Sequence, residues 1–135
     1  MIGMKRDMDI NVNINSEVTR IFTKRCRSNG FLAINVLKYI VENREILDNL
    51  CIQMFQDEER YLRAVRYQHK VKQLPKNNST PYTLREVESE VTLKEILRQN
   101  GISVVFFFCY LAANQNVINF ICSKVPSELK MKKYQ

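Results

Sequence analysis

Catalytic chemistry has little to work with in this chain. His69 is the one histidine, and it falls at the end of a basic, exposed helix segment, where a solvated imidazole is expected. Asp57, Glu58 and Glu59 are consecutive, so they spread over a helix surface instead of facing one another as an acid/base pair. The four cysteines stand at positions 26, 51, 109 and 122, with no Cys-x-x-Cys spacing and no histidine partner to complete a metal set. Two of them lie in the most apolar stretches, where a free cysteine packs as a small hydrophobe. No glycine-rich phosphate loop is present. The reading is a non-enzyme with no cofactor and no metal, whose function is binding.

Binding of what is bounded by composition. The 135 residues suit one domain, and 45% hydrophobic content with 3 Gly and 3 Pro favours a helix-rich core over disorder. The start of the chain has no apolar signal-peptide core, so a reducing, intracellular setting is expected. The formal net charge is +7, densest at Arg60, Arg63, Arg66, Lys70, Lys72 and Lys76. A small basic helical nucleic-acid-binding protein is therefore one alternative, recognisable by a steep loss of affinity with salt. No zinc-finger spacing supports it, and a helix-turn-helix reading leaves the most apolar segment unexplained, so no nucleic acid is expected.

That apolar segment organises the rest. Ile102–Ala113 is almost unrelieved in its apolarity, yet spans about 12 residues against the roughly 20 that a membrane-crossing helix needs. A helix apolar on all sides must be surrounded by other helices. The expected fold is all-α, a helical bundle around this central apolar helix, which is expected to run from Ile102 to Ile121. Residues 1–14 read as a flexible lead-in and 15–135 as a single helical domain. Val18, Ile21, Phe22 and Cys26 mark a first helix, and Asn29-Gly30 ends it. A second helix begins near Phe31 with Ala33, Ile34, Leu37, Ile40 and Val41 inward. Arg44–Val71 carries a third stripe (Leu47, Leu50, Cys51, Met54, Phe55, Tyr61, Leu62, Val65), either as one helix or two. Pro75–Pro81 is a loop. Thr83-Leu84-Arg85-Glu86 fits a capping box opening a helix with Leu84, Val87, Val91, Ile96 and Leu97 buried, and Asn100-Gly101 stops it. Pro126 suits the start of one more short helix. The C-terminus is basic and is read as no membrane anchor. No internal repeat and no strand pair are expected.

Read in order, several stretches resemble the Bcl-2 family of apoptosis regulators. Leu84–Val87 through Leu97–Gly101 is similar to the family's fourth helix leading into its BH1 motif. Val104-Val105-Phe106-Phe107-Phe108-Cys109-Tyr110 is similar to the apolar central helix, and Val117–Pro126 to its junction with the next helix. Ile52, Phe55 and Asp57 can be aligned with a degenerate BH3 segment, with Gln56 where the pattern has Gly; Leu37–Glu42 is a rival register. The Trp and Arg of BH1 are absent at Asn100–Ser103, and Arg98 is the nearest replacement charge. Such divergence suits a viral homologue.

The resemblance implies an inhibitor of apoptosis in the host cytoplasm, peripheral to mitochondria, that sequesters the BH3 helix of pro-apoptotic proteins such as Bim. It implies a groove with Tyr61, Leu62 and Val65 on one side, Val91 and Ile96 on the other, Val105 and Phe106 on the floor, and Arg98, Asn100, Gly101 and Ser103 at the rim. Helix-in-groove binding uses apolar anchors three or four residues apart. Losing the BH1 Arg removes a charge-assisted bond worth about 1.5–3 kcal/mol, which implies narrow selectivity. The other alternative is a self-associating helical scaffold, and a homodimer is compatible with groove binding.

Overall fold

In the computed structural model, which describes residues 10–73, 79–84 and 93–134, most elements are helices. The order is β1 (Ile10–Asn15), α1 (Ser16–Ser28), α2 (Ala33–Glu42), α3 (Arg44–Gln56), α4 (Glu58–Lys72), β2 (Ser79–Leu84), α5 (Leu93–Gln99), α6 (Val104–Ala113) and α7 (Gln115–Lys124). Two single 3-10 turns follow, Ser127–Leu129 and Lys132–Tyr134. Val18, Phe22 and Cys26 of α1 are buried, as are Val36, Leu37, Ile40 and Val41 of α2, so the helical spacing of apolar residues predicts the inward faces correctly.

Two Asn-Gly steps end α1 and α5 by the same device. Gly30 and Gly101 take φ of 91° and 77°, the left-handed region where a side chain is strained. The Phe31 amide then donates back to the Cys26 carbonyl (3.0 Å) and Gly30 to Arg27 (2.9 Å), while Ile102 donates to Leu97 (2.8 Å) and Gly101 to Arg98 (2.9 Å). These paired bonds satisfy the last helix carbonyls and reverse the chain. At Gly101 an added Cβ would meet nothing within 4 Å, so backbone angle alone reserves the position. α5 and α6 meet there at 89°.

A second device is also used twice. One residue separates α2 from α3 and α6 from α7: Asn43 (φ −107°, ψ 70°) and Asn114 (φ −130°, ψ 68°). Each directs both its backbone and side-chain nitrogens at the carbonyl four residues back, Tyr39 or Tyr110, at 2.9–3.0 Å.

These recurrences are parts of one internal repeat. Residues 27–51 and 98–122 align without a gap at an offset of 71, with identity at Arg27/Arg98, Asn29/Asn100, Gly30/Gly101, Tyr39/Tyr110, Asn43/Asn114 and Cys51/Cys122. Phe31/Ile102, Val36/Phe107, Leu37/Phe108, Ile40/Leu111, Leu47/Ile118 and Leu50/Ile121 are buried in both copies. Each copy is a unit of one strand and three helices: β1–α1–α2–α3 and β2–α5–α6–α7.

The units hold each other reciprocally. Asn29 donates from Nδ2 to Asn119 Oδ1 (2.9 Å), and its counterpart Asn100 donates to Asp48 Oδ1 (3.0 Å); Asp48 is the counterpart of Asn119. Arg25 bonds Gln115 at 2.6 Å, and Arg44, the counterpart of Gln115, bonds Gln99. α1 packs on α7 as α5 packs on α3, and β1 touches α6 as β2 touches α2. The strands pair antiparallel, from Ile10 opposite Leu84 to Asn15 opposite Ser79. Such exchange of equivalent contacts is the pattern of a two-fold homodimer, here within one chain.

α4 breaks the symmetry. It lies against α6, which is thereby enclosed by α1, α4, α5, α7 and β1, and nearly every residue from Val104 to Ala112 is buried. Where α6 faces α4 it carries Phe106 and Cys109; the equivalent α2 positions, Asn35 and Lys38, are polar and half-exposed. Aromatic packing fills the centre, with Phe22 edge-on to Phe108 at 5.6 Å and Phe108 edge-on to Phe107 at 5.4 Å.

The helical character and the buried central helix agree with expectation, but several details do not. The central helix stops at Ala113, not Ile121, because Asn114 takes the turn. For Arg44–Val71, where one helix or two were both open, the structure has two, since Asp57 leaves the helical region (φ −97°, ψ 92°) and caps α4. Residues 10–14 of the expected lead-in form a strand, and Pro81, Thr83 and Leu84 lie in its partner, so neither the loop nor the capping box holds there. The strand pair and the repeat both overturn the reading that neither exists. The remaining lead-in (1–9), Pro75–Asn78, and Glu86, Val87 and Val91 lie outside the described residues.

The paired Asn turns give a test. Asn114 is 2% exposed; its Nδ2 also reaches the Arg60 carbonyl (3.1 Å) and its Oδ1 accepts from Arg63 (2.9 Å). Asn43 is exposed, and among the described residues its side chain makes only the local bond. Asn114→Ala is expected to lower unfolding free energy by about 2–3 kcal/mol and Asn43→Ala by about 0.5–1 kcal/mol, because only the former orphans buried groups. Urea denaturation of both variants measures the difference.

Candidate functional site

The described residues bring no group of three or more His, Cys, Asp or Glu together for a metal, so the site is sought in exposed apolar surface. Large apolar side chains left in solvent include Ile52 (49%), Phe55 (53%), Leu62 (43%) and Val65 (40%). Helix geometry gathers them. Ile52 and Phe55 share a face at i, i+3, and Tyr61, Leu62 and Val65 share one at i+3 and i+4. The Asp57 break turns the end of α3 toward the start of α4, so the Phe55 and Tyr61 rings meet at 5.9 Å. Tyr61 in turn meets Phe106 of α6 at 5.1 Å. The result is a row of exposed and half-exposed apolar groups running from α3 across α4 to α6.

Polar contacts fix the helices beneath this row. Asp57 accepts from the Arg60 amide (3.1 Å) and pairs with the Arg60 guanidinium (3.5 Å). Arg60 also lies near the Tyr110 hydroxyl, whose pKa burial nevertheless raises above its ordinary value. Arg63 bridges Glu59 at 2.7 Å and Asn114 at 2.9 Å. Ser103 caps α6, accepting from the Phe106 amide at 3.1 Å, and so sets where Phe106 projects. Arg66 is exposed beside Val65 and one turn beyond Leu62.

Of the residues placed in a groove by sequence, Tyr61, Leu62, Val65 and Phe106 are brought into this one surface, with the half-buried Val105 adjacent to Phe106. Ile96 is not a groove wall: it is 1% exposed and belongs to the core. Val91 lies outside the described residues. Arg98 is exposed at the end of α5, whereas Asn100 is spent on capping α5 and on Asp48, and Gly101 supplies the turn. The degenerate BH3 segment is not one helix, because Asp57 starts α4; its carboxylate is engaged there, while Ile52 and Phe55 join the apolar row. Phe55 is the surface anchor that a groove reading of the sequence missed, since α3 was not expected to end beside Tyr61.

A cleft of about 570 Å³ lies elsewhere, between α3 and α7, lined among others by Ile46, Leu50, Gln53, Phe120, Ile121 and Lys124. It shares no side chain with the row. Among the described residues no single helix is long and apolar enough to cross a membrane.

No family model, no curated protein and no solved structure matches this chain.

α4 also carries a polar atom without a partner. The Tyr67 hydroxyl is buried and has no hydrogen-bond partner among the described residues, and burial, with the Glu17 charge adding to it, pushes its pKa up to about 12. Tyr67→Phe removes an unsatisfied donor and is expected to raise stability by about 1 kcal/mol. A loss of similar size in chemical denaturation would mean that the hydroxyl is bonded.

Proposed function

We propose that this protein is a helix-capturing interaction module whose ligand is an amphipathic BH3-type helix, and that it restrains apoptosis by holding such helices from pro-apoptotic proteins. The observation that carries the binding half of this reading is the Phe55–Tyr61–Phe106 ring series flanked by exposed Ile52, Leu62 and Val65. Aromatic and branched apolar groups in one surface are what the i, i+3, i+4, i+7 anchors of a ligand helix need. Exposed apolar side chains grouped in this way mark interaction sites more often than isolated ones do. The apoptotic half rests on the resemblance of Val104–Tyr110 and Val117–Pro126 to the Bcl-2 family.

Charge supports the same ligand. A BH3 helix presents an Asp beside its apolar anchors, and this chain lacks the usual BH1 Arg. Arg66 stands beside the apolar row and is the cation that would meet the Asp. Reliance on one exposed pair, worth about 1 kcal/mol or less, keeps selectivity narrow. Cytoplasmic action at the mitochondrial surface follows from the ligand class.

Calorimetry of the full chain against BH3 peptides, Bim among them, is expected to give nanomolar to low-micromolar binding for one or a few. Leu62→Glu and Phe55→Ser change exposed positions and leave the core intact. Each is expected to weaken binding at least about ten-fold, equivalent to roughly 1.4 kcal/mol. Arg66→Ala is expected to weaken it less and to flatten its salt dependence. Absence of heat with every peptide, or equal binding by the Leu62 and Phe55 variants, contradicts the proposal.

A further inference from the structure

The densest basic run of the sequence, in α4, is partly neutralised, since Arg60 pairs with Asp57 and Arg63 with Glu59. A less obvious concentration forms where the end of α1 meets the tail beyond α7. There the Met131 amide donates to the Gly30 carbonyl at 2.8 Å, and the Lys130 ammonium stands over the Phe31 ring at 5.9 Å. Residues 24–32 bring Lys24, Arg25 and Arg27 to this corner, and residues 128–133 bring Lys130, Lys132 and Lys133. Glu128 is the one acidic residue in either segment, so the corner holds most of the formal net charge of +7. Two large apolar side chains are exposed among these cations, Leu32 at 41% and Leu129 at 39%, each two residues from the Met131–Gly30 bond.

The repeat supplies a control, because α1 and α5 end in the same way. Arg27 and its counterpart Arg98 each stand at a helix C-terminus, where a cation meets the last carbonyls. Arg27 is therefore explained by the fold. Lys24 and Leu32 are not, since their counterparts are Glu95 and Ser103. Beyond its third helix, one unit continues with Asp57, Glu58 and Glu59, and the other with Leu129, Lys130, Lys132 and Lys133. Basic charge with exposed leucines is thus a property of one unit and not a requirement of the architecture.

We propose that this corner binds the anionic surface of a lipid bilayer, with its cations on the phosphate headgroups and Leu32 and Leu129 inserted beneath them. Basic residues near such a surface are attracted to it, and salt screens the attraction. Apolar side chains at headgroup depth add binding through buried area. A nucleic acid would use the cations but leave both leucines in water, and this favours the bilayer. The corner shares no residue with the Phe55–Tyr61–Phe106 row and does not rest on the reading of that row.

Flotation of the full chain with phosphatidylcholine vesicles, with and without about 30% phosphatidylserine, tests the assignment. At physiological salt, binding to the mixed vesicles is expected to exceed that to phosphatidylcholine alone at least about ten-fold, and to fall steeply with added salt. Lys24→Glu, which copies Glu95, should weaken it at least about five-fold. Leu32→Ser, which copies Ser103, should weaken it at least about three-fold. Both positions are exposed, and the other unit already folds with these residues. Leu62→Glu should bind the vesicles as the wild type does. Equal recovery on both vesicle types, or undiminished binding by either the Lys24 or the Leu32 variant, would overturn the proposal. So would Lys24-dependent binding to a duplex oligonucleotide with no recovery on the mixed vesicles.

Discussion

The two three-helix units share one apolar core, and one asparagine side chain reaches out of each unit and into the other to set how they meet. Asn29 and Asn100 each cap the helix that precedes them, through the carbonyl four residues back, and with the same amide reach Asn119 and Asp48 of the opposite unit. One amide thus ends a helix and sets the angle at which the next unit docks. A short unit of one strand and three helices has too little interior to bury its apolar faces alone. Paired reciprocally, the two units cover one another's inner faces, and Phe22, Phe107 and Phe108 meet at the centre.

α4 turns this near-symmetric pair into a molecule with one distinctive side. It covers α6 and leaves α2 open, and residue chemistry follows coverage: Phe106 and Cys109 where there is a lid, Asn35 and Lys38 where there is none. Covering α6 also fixes Tyr61 against Phe106 and, through the Asp57 break, swings Phe55 onto Tyr61. The proposed ligand surface is therefore a by-product of the asymmetry. No comparable row forms on α2, whose positions equivalent to Phe106 and Cys109 are the polar Asn35 and Lys38.

Sequence patterning was sufficient for the inward faces of α1 and α2, for both Asn-Gly stops and for the central, mostly buried place of α6. It overran at Asn114, because the polar Asn114-Gln115-Asn116 step after the apolar run carries no local signal that both Asn114 nitrogens will turn back to Tyr110. The repeat was hidden for a related reason. Core volume is divided unequally between the units, Val36 and Leu37 in one against Phe107 and Phe108 in the other, so that conserved geometry coexists with only six identities over the aligned residues. The strand pair joins segments about 70 residues apart, and non-local pairing leaves no mark on either segment alone. Of the candidate site, Tyr61, Leu62, Val65 and Phe106 were readable from helical spacing and from the family resemblance. Phe55 was not, because its exposure and ring contact depend on where α3 ends.

The reciprocal hold is the claim on which the account stands, and double-mutant cycles address it most directly. Unfolding free energies would be measured for Asn29→Ala, Asn119→Ala, Asn100→Ala, Asp48→Ala and their pairwise combinations. The account predicts coupling of about 0.5 kcal/mol or more within Asn29–Asn119 and within Asn100–Asp48, and additivity for Asn29 with Asp48 and for Asn100 with Asn119. Additivity within both matched pairs would mean that the units are not held by these side chains and would contradict the reciprocal hold.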